Sequence, residues 1–226
     1  MIEVLDHGVV RLIDSMGGDL SIVRSARVSY DAEWRTGEDA GKDAKLINYL
    51  IKNRHTSPLE GVQFTFEVKA PIFVFRQWHR HRTWSYNEVS ARYSELPEEF
   101  YIPKAEHVGT QSTSNKQMRV LEEAAGLNEK DVEFINDLQR HSAEGFALYR
   151  KHLAAGVPRE LARCLLGLNT YSHMFASVDL HNLFHFLNLR LHSHAQYEIK
   201  VYAEAMLELI EPIVPVAIAA WKEHRK

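Results

Sequence analysis

Val62, Phe64, Phe66 and Val68 alternate with Gln63, Thr65 and Glu67, the period of a strand with one buried face. Apolar runs at residues 2–5 and 9–13 flank Asp6-His7-Gly8 and predict strand, turn and strand. Asp19 reads as the cap of a short helix reaching about Tyr30. A second helix is predicted over residues 42–53, with Leu46, Tyr49, Leu50 and Asn53 on one side, and His55-Thr56-Ser57-Pro58 breaks it. Pro71 suits the first turn of a helix that continues from Ile72 to about Arg82.

Between residues 106 and 130 the chain is rich in Gln, Ser, Thr and Asn with little periodicity, and a mobile surface connection is expected. A long helix follows over residues 131–155, ended by Gly156, with Pro158 starting the next. Residues 168–178 are β-branched and aromatic enough to be extended. Asp179 is a natural cap for a helix through Leu191. A long final helix over residues 194–222 is interrupted or bent near Pro212 and Pro215. These elements predict an α+β fold, long helices packed around a small, mainly antiparallel sheet, as a single domain over residues 1–226.

Composition adds bounds. The 226 residues carry a net charge of −3, with 45% hydrophobic and 25% charged, an ordinary soluble balance. That charge argues against a protein coating nucleic acid through a general basic surface. The lone Cys164 excludes an intrachain disulfide and a thiolate zinc cage. Its surroundings, Ala162-Arg163-Cys164-Leu165-Leu166, read as a buried helix face with an unactivated thiol. No signal peptide or membrane span is visible, and a cytoplasmic setting is expected.

Against this acidic background, residues 80–92 concentrate three guanidiniums, an imidazole and a carboxylate in thirteen positions without a single Lys. Buried hydrogen-bonding groups need partners, and Arg grips phosphate at two points, so this segment points to a bound polyanion. If the helix reaches Arg82, Gln77 shares a face with Arg80 and His81, while Arg76 and Arg80 stand at i and i+4, where like charges repel unless an anion or a carboxylate intervenes. Arg159 and Arg163 repeat that spacing, equally well read as surface arginines near Glu160. His181 and His185 lie one turn apart and, with His192 or His194, could hold a metal or hydrogen-bond a planar ring. No acidic residue completes a metalloprotease-like pattern, and no metal is assigned. A metal-dependent nucleotide phosphohydrolase and a noncatalytic RNA-binding module remain the readings from other classes.

Arg80-His81-Arg82-x-x-Ser85-x-Asn87-Glu88-x-Ser90-x-Arg92 resembles, at all eight fixed positions, the signature of the flavin-dependent thymidylate synthases. The likeness extends through Arg27-Val28-Ser29, His55-Thr56-Ser57-Pro58, Phe64-Thr65-Phe66, Gln77-Trp78, Gly156-Val157-Pro158-Arg159-Glu160 and Asn188-Leu189-Arg190 to His194-Ala195-Gln196, leaving mainly residues 106–140 unmatched. The resemblance implies a homotetramer with FAD in sites shared between subunits. It implies conversion of dUMP to dTMP, with methylenetetrahydrofolate giving the carbon and NADPH the electrons. By position it assigns nucleotide contacts to Gln77, Arg80, Glu88, Ser90, Arg92, Arg163 and Arg190. Flavin contacts fall to Ser57, Arg80, His81, Arg82, Glu88, Asp179, His181 and His185. Asp179 and His185 stand where some relatives have Asn, and the charge on Asp179 changes what it can offer a cofactor.

These residue types suit that chemistry. Uracil C5 is a poor nucleophile, and an unactivated thiol cannot raise its reactivity by adding to C6. A guanidinium at the pyrimidine carbonyl can instead stabilise the anion left when N3 loses its proton. Arg190 is the candidate, and the resemblance assigns it that catalytic role. Ser90 has no evident neighbouring base and is assigned to binding. His55 is expected near the flavin or folate, or else as a helix-end histidine favoured by the dipole.

Overall fold

The computed structural model describes residues 1–121 and 128–225. The chain opens with β1 (Ile2–Val4) and β2 (Gly8–Met16), an antiparallel pair about the Asp6-His7-Gly8 turn. Helices α1 (Asp19–Val28), α2 (Ala40–Lys52) and the single turn α3 (Ser57–Glu60) follow. β3 (Gln63–Pro71) runs straight into α4 (Ile72–Trp78), and β4 (Ser85–Glu88) comes next. The two-residue strands β5 (Thr110–Gln111) and β6 (Arg119–Val120) form a separate ribbon. The chain continues through α5 (Glu129–Ala154), the short α6 (Arg159–Ala162), β7 (Tyr171–Asp179), α7 (Leu180–Arg190), α8 (Tyr197–Ile210) and α9 (Pro215–His224).

The main sheet is antiparallel throughout, in the order β1-β2-β3-β7-β4. Its central strand shows the expected alternation: Phe64, Phe66, Val68 and Ala70 are buried, while Gln63, Thr65, Glu67 and Lys69 are only half-buried. The buried row packs with Trp78, Phe186, Ile199, Tyr202 and Met206 into one apolar core under the helices. The opposite face carries Glu67 between Arg11, at 3.2 Å, and His173, at 2.9 Å. This is the predicted α+β class, with long helices around a small antiparallel sheet.

Several local expectations are corrected. Asp19 does not cap the helix it begins. Gly18 holds that place, and the Asp19 carboxylate accepts from the backbone N–H groups of Val216 and Ala217, each at 2.9 Å. It therefore caps α9, whose Pro215 leaves the next amides free for a side-chain acceptor. In α2 the buried face is Asp43, Ile47 and Leu50, and Tyr49 points outward. The cause is Asp43, which pairs with Arg27 of α1 at 2.6 Å and turns that face inward. The final predicted helix is interrupted as expected: α8 ends at Ile210, where Pro212 lacks the N–H needed to continue it, and α9 begins at Pro215.

The polar stretch after Glu106 is more built than expected. Residues 105–107 form a 3₁₀ turn whose His107 ring stacks on Tyr197 at 3.8 Å, and Arg119 of β6 reaches Glu198 at 2.8 Å. Residues 122–127 of that stretch lie outside the described residues. Cys164, read as buried, is exposed on a 3₁₀ turn over residues 163–165. Gly156, at φ +83°, ends α5 as expected, in a conformation a side chain would strain. Among the described residues no helix is long and apolar enough to cross a membrane.

Candidate functional site

The site grows from the short α4. Trp78 is fully buried, stacked on Phe186 at 4.9 Å and edge-on to Trp84 at 5.9 Å. The helix ends at Trp78 rather than Arg82. The Tyr86 hydroxyl lies 3.1 Å from the Trp78 carbonyl and 2.9 Å from that of His81, and donates between these chain-end acceptors. Burial pushes the Tyr86 phenol above its ordinary value and keeps it a donor. The turn at residues 79–82 tucks His81 inward against the edge of Phe186, 4.9 Å between centroids, and leaves Arg80 and Arg82 exposed. Gln77, Arg80 and His81 thus do not share the predicted helix face: Arg80 and His81 line one cavity and Gln77 another.

Arg190, last residue of α7, reaches this turn. Its Nε donates to His81 Nε2 at 3.0 Å and its NH2 to the Gln77 carbonyl at 3.2 Å. His81 Nε2 is therefore the acceptor, and its remaining proton sits on Nδ1. Burial first, then the charge of Arg190 and the neighbouring His185, lowers the His81 pKa to about 4. The imidazole is neutral at physiological pH, and positive charge at this contact belongs to Arg190. Burial also pushes the guanidinium below its ordinary value. Two of its five N–H groups are used in these bonds, and the side chain lines two cavities.

The first cavity, about 590 Å³, is walled by Arg80, His81, Arg82, Thr83, His181, Asn182, His185, Leu189 and Arg190. The second, also about 590 Å³, lies across Arg190 and adds Gln77, Gln117, Asn188, His192, His194, Ala195 and Gln196. A third hollow of about 340 Å³ adjoins the first through His181 and His185, and carries Leu50, Ile51, Leu59, Phe184 and Trp221. Helix α7 is the partition: its outward residues His181, His185, Asn188 and Leu189 recur at helical spacing across the three walls. Asn188 and Gln117 are cavity-lining residues outside the predicted site. Asn188 was legible as the exposed ridge between His185 and His192; nothing in the sequence pointed to Gln117.

The other predicted site residues form a second group. Glu88, at the end of β4, accepts from Ser172 Oγ at 2.6 Å. The Arg92 side chain pairs with Glu160 at 3.1 Å, its backbone N–H donates to Ser90 Oγ at 3.3 Å, and Arg163 Nε donates to the Glu160 carbonyl at 3.2 Å. None of these four lines the three cavities. Arg159 faces Glu95 at 3.7 Å. Ser57 begins α3, exposed, while its neighbour Thr56 lines the third hollow. Asp179 caps α7: it accepts from the Asn182 amide N–H at 2.9 Å and from Asn182 Nδ2 at 2.6 Å. His55 is exposed past the end of α2, its ring edge-on to Tyr49 at 5.5 Å, and lines none of the cavities. Among the described residues no group of three His, Cys, Asp or Glu side chains is placed to hold a metal ion.

Residues 11–216 match the family described as thymidylate synthase complementing protein. A protein of Treponema denticola named flavin-dependent thymidylate synthase is 50% identical over 224 residues, covering 99% of this chain and 82% of that one. The chain belongs to the flavin-dependent thymidylate synthases. A member of that family from Thermus thermophilus is 51% identical over 223 residues, covering 99% of this chain and 78% of its own length. In three dimensions the chain is similar to a UMP/dUMP methylase of Streptomyces cacaoi bound with 5-Br dUMP. That pair aligns with TM-score 0.88 and 35% identity over 99% of this chain and 98% of the other. The same methylase bound with 5-Br UMP gives TM-score 0.85 at 35% identity, covering 96% of this chain and 95% of that one.

Proposed function

We propose that this chain converts dUMP to dTMP, taking the carbon from methylenetetrahydrofolate and the electrons from NADPH by way of bound FAD, without a cysteine nucleophile. The observation that carries the proposal is Arg190, held in place by His81 and Gln77 at the junction of two donor-lined cavities. FAD needs cations for its diphosphate and apolar walls for its rings. Arg80, Arg82, His181 and His185 in the first cavity, and Phe184 and Trp221 in the adjoining hollow, are of those kinds. When bound, the flavin supplies the hydride that completes the methyl group.

On this reading dUMP takes the second cavity, with Gln77 and Arg190 at its base. The Arg190 guanidinium faces the pyrimidine carbonyl and stabilises the ring anion left when N3 releases its proton to solvent, so that C5 becomes the nucleophile. Neutral His81 holds the guanidinium plane by accepting its Nε–H. Cys164 lines none of the cavities, although it is exposed. The proposal therefore expects Cys164→Ala to retain activity within about twofold, as a surface substitution away from the chemistry does.

Glu88, Ser90, Arg92 and Arg163 are proposed as phosphate and sugar ligands contributed across a subunit boundary in a homotetramer. Their absence from the walls of the three cavities supports this, as do the exposed aromatics Tyr30 and Trp34, at 85% and 69%. Residues 1–226 are read as one domain acting in the cytoplasm, with no nucleic-acid or membrane partner. Ser57, Glu88 and Asp179 are kept as proposed flavin contacts, although the Asp179 carboxylate is already used at its helix end.

The test is anaerobic dTMP formation from dUMP, methylenetetrahydrofolate and NADPH, with and without added FAD. Flavin-dependent product is expected. Folded, flavin-loaded protein that makes no dTMP would overturn the proposal.

A further inference from the structure

Glu198 lies in the first turn of α8 and is 2% exposed, a buried carboxylate with three hydrogen-bond donors around it. Its Oε1 accepts from the Tyr101 hydroxyl at 3.1 Å and from Arg119 at 2.8 Å, and its Oε2 accepts from Gln196 Nε2 at 2.8 Å. Burial, then the Glu198 charge, pushes the Tyr101 phenol well up, so Tyr101 remains the donor. A carboxylate paired with a guanidinium can only accept. Gln196 must therefore turn its NH₂ toward Glu198, which leaves its carbonyl toward Gln77, and Gln77 Nε2 donates to that oxygen. The Gln77 amide is fixed in turn, with its NH₂ toward Gln196 and its Oε1 free of that pairing. Gln77 and Gln196 both line the second cavity beside Arg190.

We infer that Glu198 is a positioning and specificity-determining residue: through Gln196 it fixes the Gln77 amide so that the second cavity presents an acceptor at Gln77 and selects a hydrogen-bond donor on the ligand. The inference rests on the proposal that this cavity takes a pyrimidine nucleotide, whose candidate donors are the sugar 3′-hydroxyl and, before N3 loses its proton, the imide N3–H. An amide free to flip would offer either a donor or an acceptor and would lose that preference. The ion pair to Arg119 links the same carboxylate to the β5–β6 ribbon, which supplies Gln117 to the cavity wall.

Calorimetry on the flavin-loaded protein tests this, comparing dUMP with 2′,3′-dideoxy-UMP and N3-methyl-dUMP. The wild-type protein is expected to bind one of the two analogues about fivefold or more weakly, the size of one neutral hydrogen bond; the analogue whose deficit shrinks in Glu198→Gln identifies the donor. Glu198→Gln, nearly isosteric but able to present either an oxygen or an NH₂ to Gln196, is expected to reduce that discrimination to within about twofold, because the lost preference is worth about one such bond. Gln196→Met removes the relay while leaving Glu198 with Tyr101 and Arg119, and is expected to do the same if Glu198→Gln does not fold. A purely structural role would weaken all three ligands alike and preserve their ratios, and that result would overturn the inference. Equal wild-type affinity for dUMP and both analogues would also overturn it. Failure of the wild-type protein to bind dUMP at all would instead sink the nucleotide reading beneath it.

Discussion

Arg190 is anchored at two points, the His81 ring and the Gln77 carbonyl, so its unused N–H groups project from a fixed plane. A lysine at this place keeps the charge and loses the fork. Arg190→Lys is expected to lower turnover ~10²–10³-fold, as loss of an oxyanion donor does, with FAD affinity changed by less than about threefold; comparable losses of both would make Arg190 a scaffold residue. His81 gives a pH dependence of definite sign. Its folded pKa, about 4, lies below the ordinary 6.5. The unfolded chain takes up this proton first as pH falls, so stability is lost between about 6.5 and 4 and is unaffected by His81 above that window, an effect on the order of 2 kcal/mol. Thermal unfolding at pH 7 and pH 4.5 should show a smaller drop in His81→Gln, which keeps an acceptor but does not titrate. An equal drop in both proteins would remove His81 as the source.

Single elements were legible where one force dominated. The alternation in β3 and the Asp179 and Gly156 punctuation all appear in place, because burial of one sheet face and the geometry of helix ends leave few choices. Misplaced features depended on distant partners. The length of α4 is set by Tyr86, the buried face of α2 by Arg27, and the role of Asp19 by a helix nearly 200 residues away. The site shows the same division. Residue types and motif order marked Arg80–Arg82, His181, His185 and Arg190, whereas the absence of Glu88, Ser90, Arg92 and Arg163 from the three cavity walls follows from three-dimensional placement. The Asp19 cap has a measurable worth. Asp19→Ala removes two charge-assisted bonds from the start of α9 and is expected to cost about 1–3 kcal/mol in denaturant unfolding. A change below about 0.3 kcal/mol would show the bonds to be replaced by water.

For the whole molecule, the two groups of site residues make an assembly prediction. If each catalytic site takes Arg190 from one chain and Arg92 from another, Arg190→Ala and Arg92→Ala are each inactive alone. After the two are unfolded and refolded together, random assortment gives about a quarter of sites both native arginines, and dTMP formation should recover to that order. No recovery from correctly reassembled tetramers would mean that both residues serve one site from one chain. The Asp19 contact with α9 has another consequence, for the order of events as the chain is made. Helices α1 and α2 emerge early, yet α9 covers them, with Asn48 bonded to Glu223 as well as Asp19 to Val216. During synthesis the apolar sides of α1 and α2 wait for a partner translated nearly 200 residues later. Closing so long a loop is slow, and the waiting surface is sticky. The apolar sides of α1 and α2 are therefore expected to engage holding chaperones until α9 has emerged.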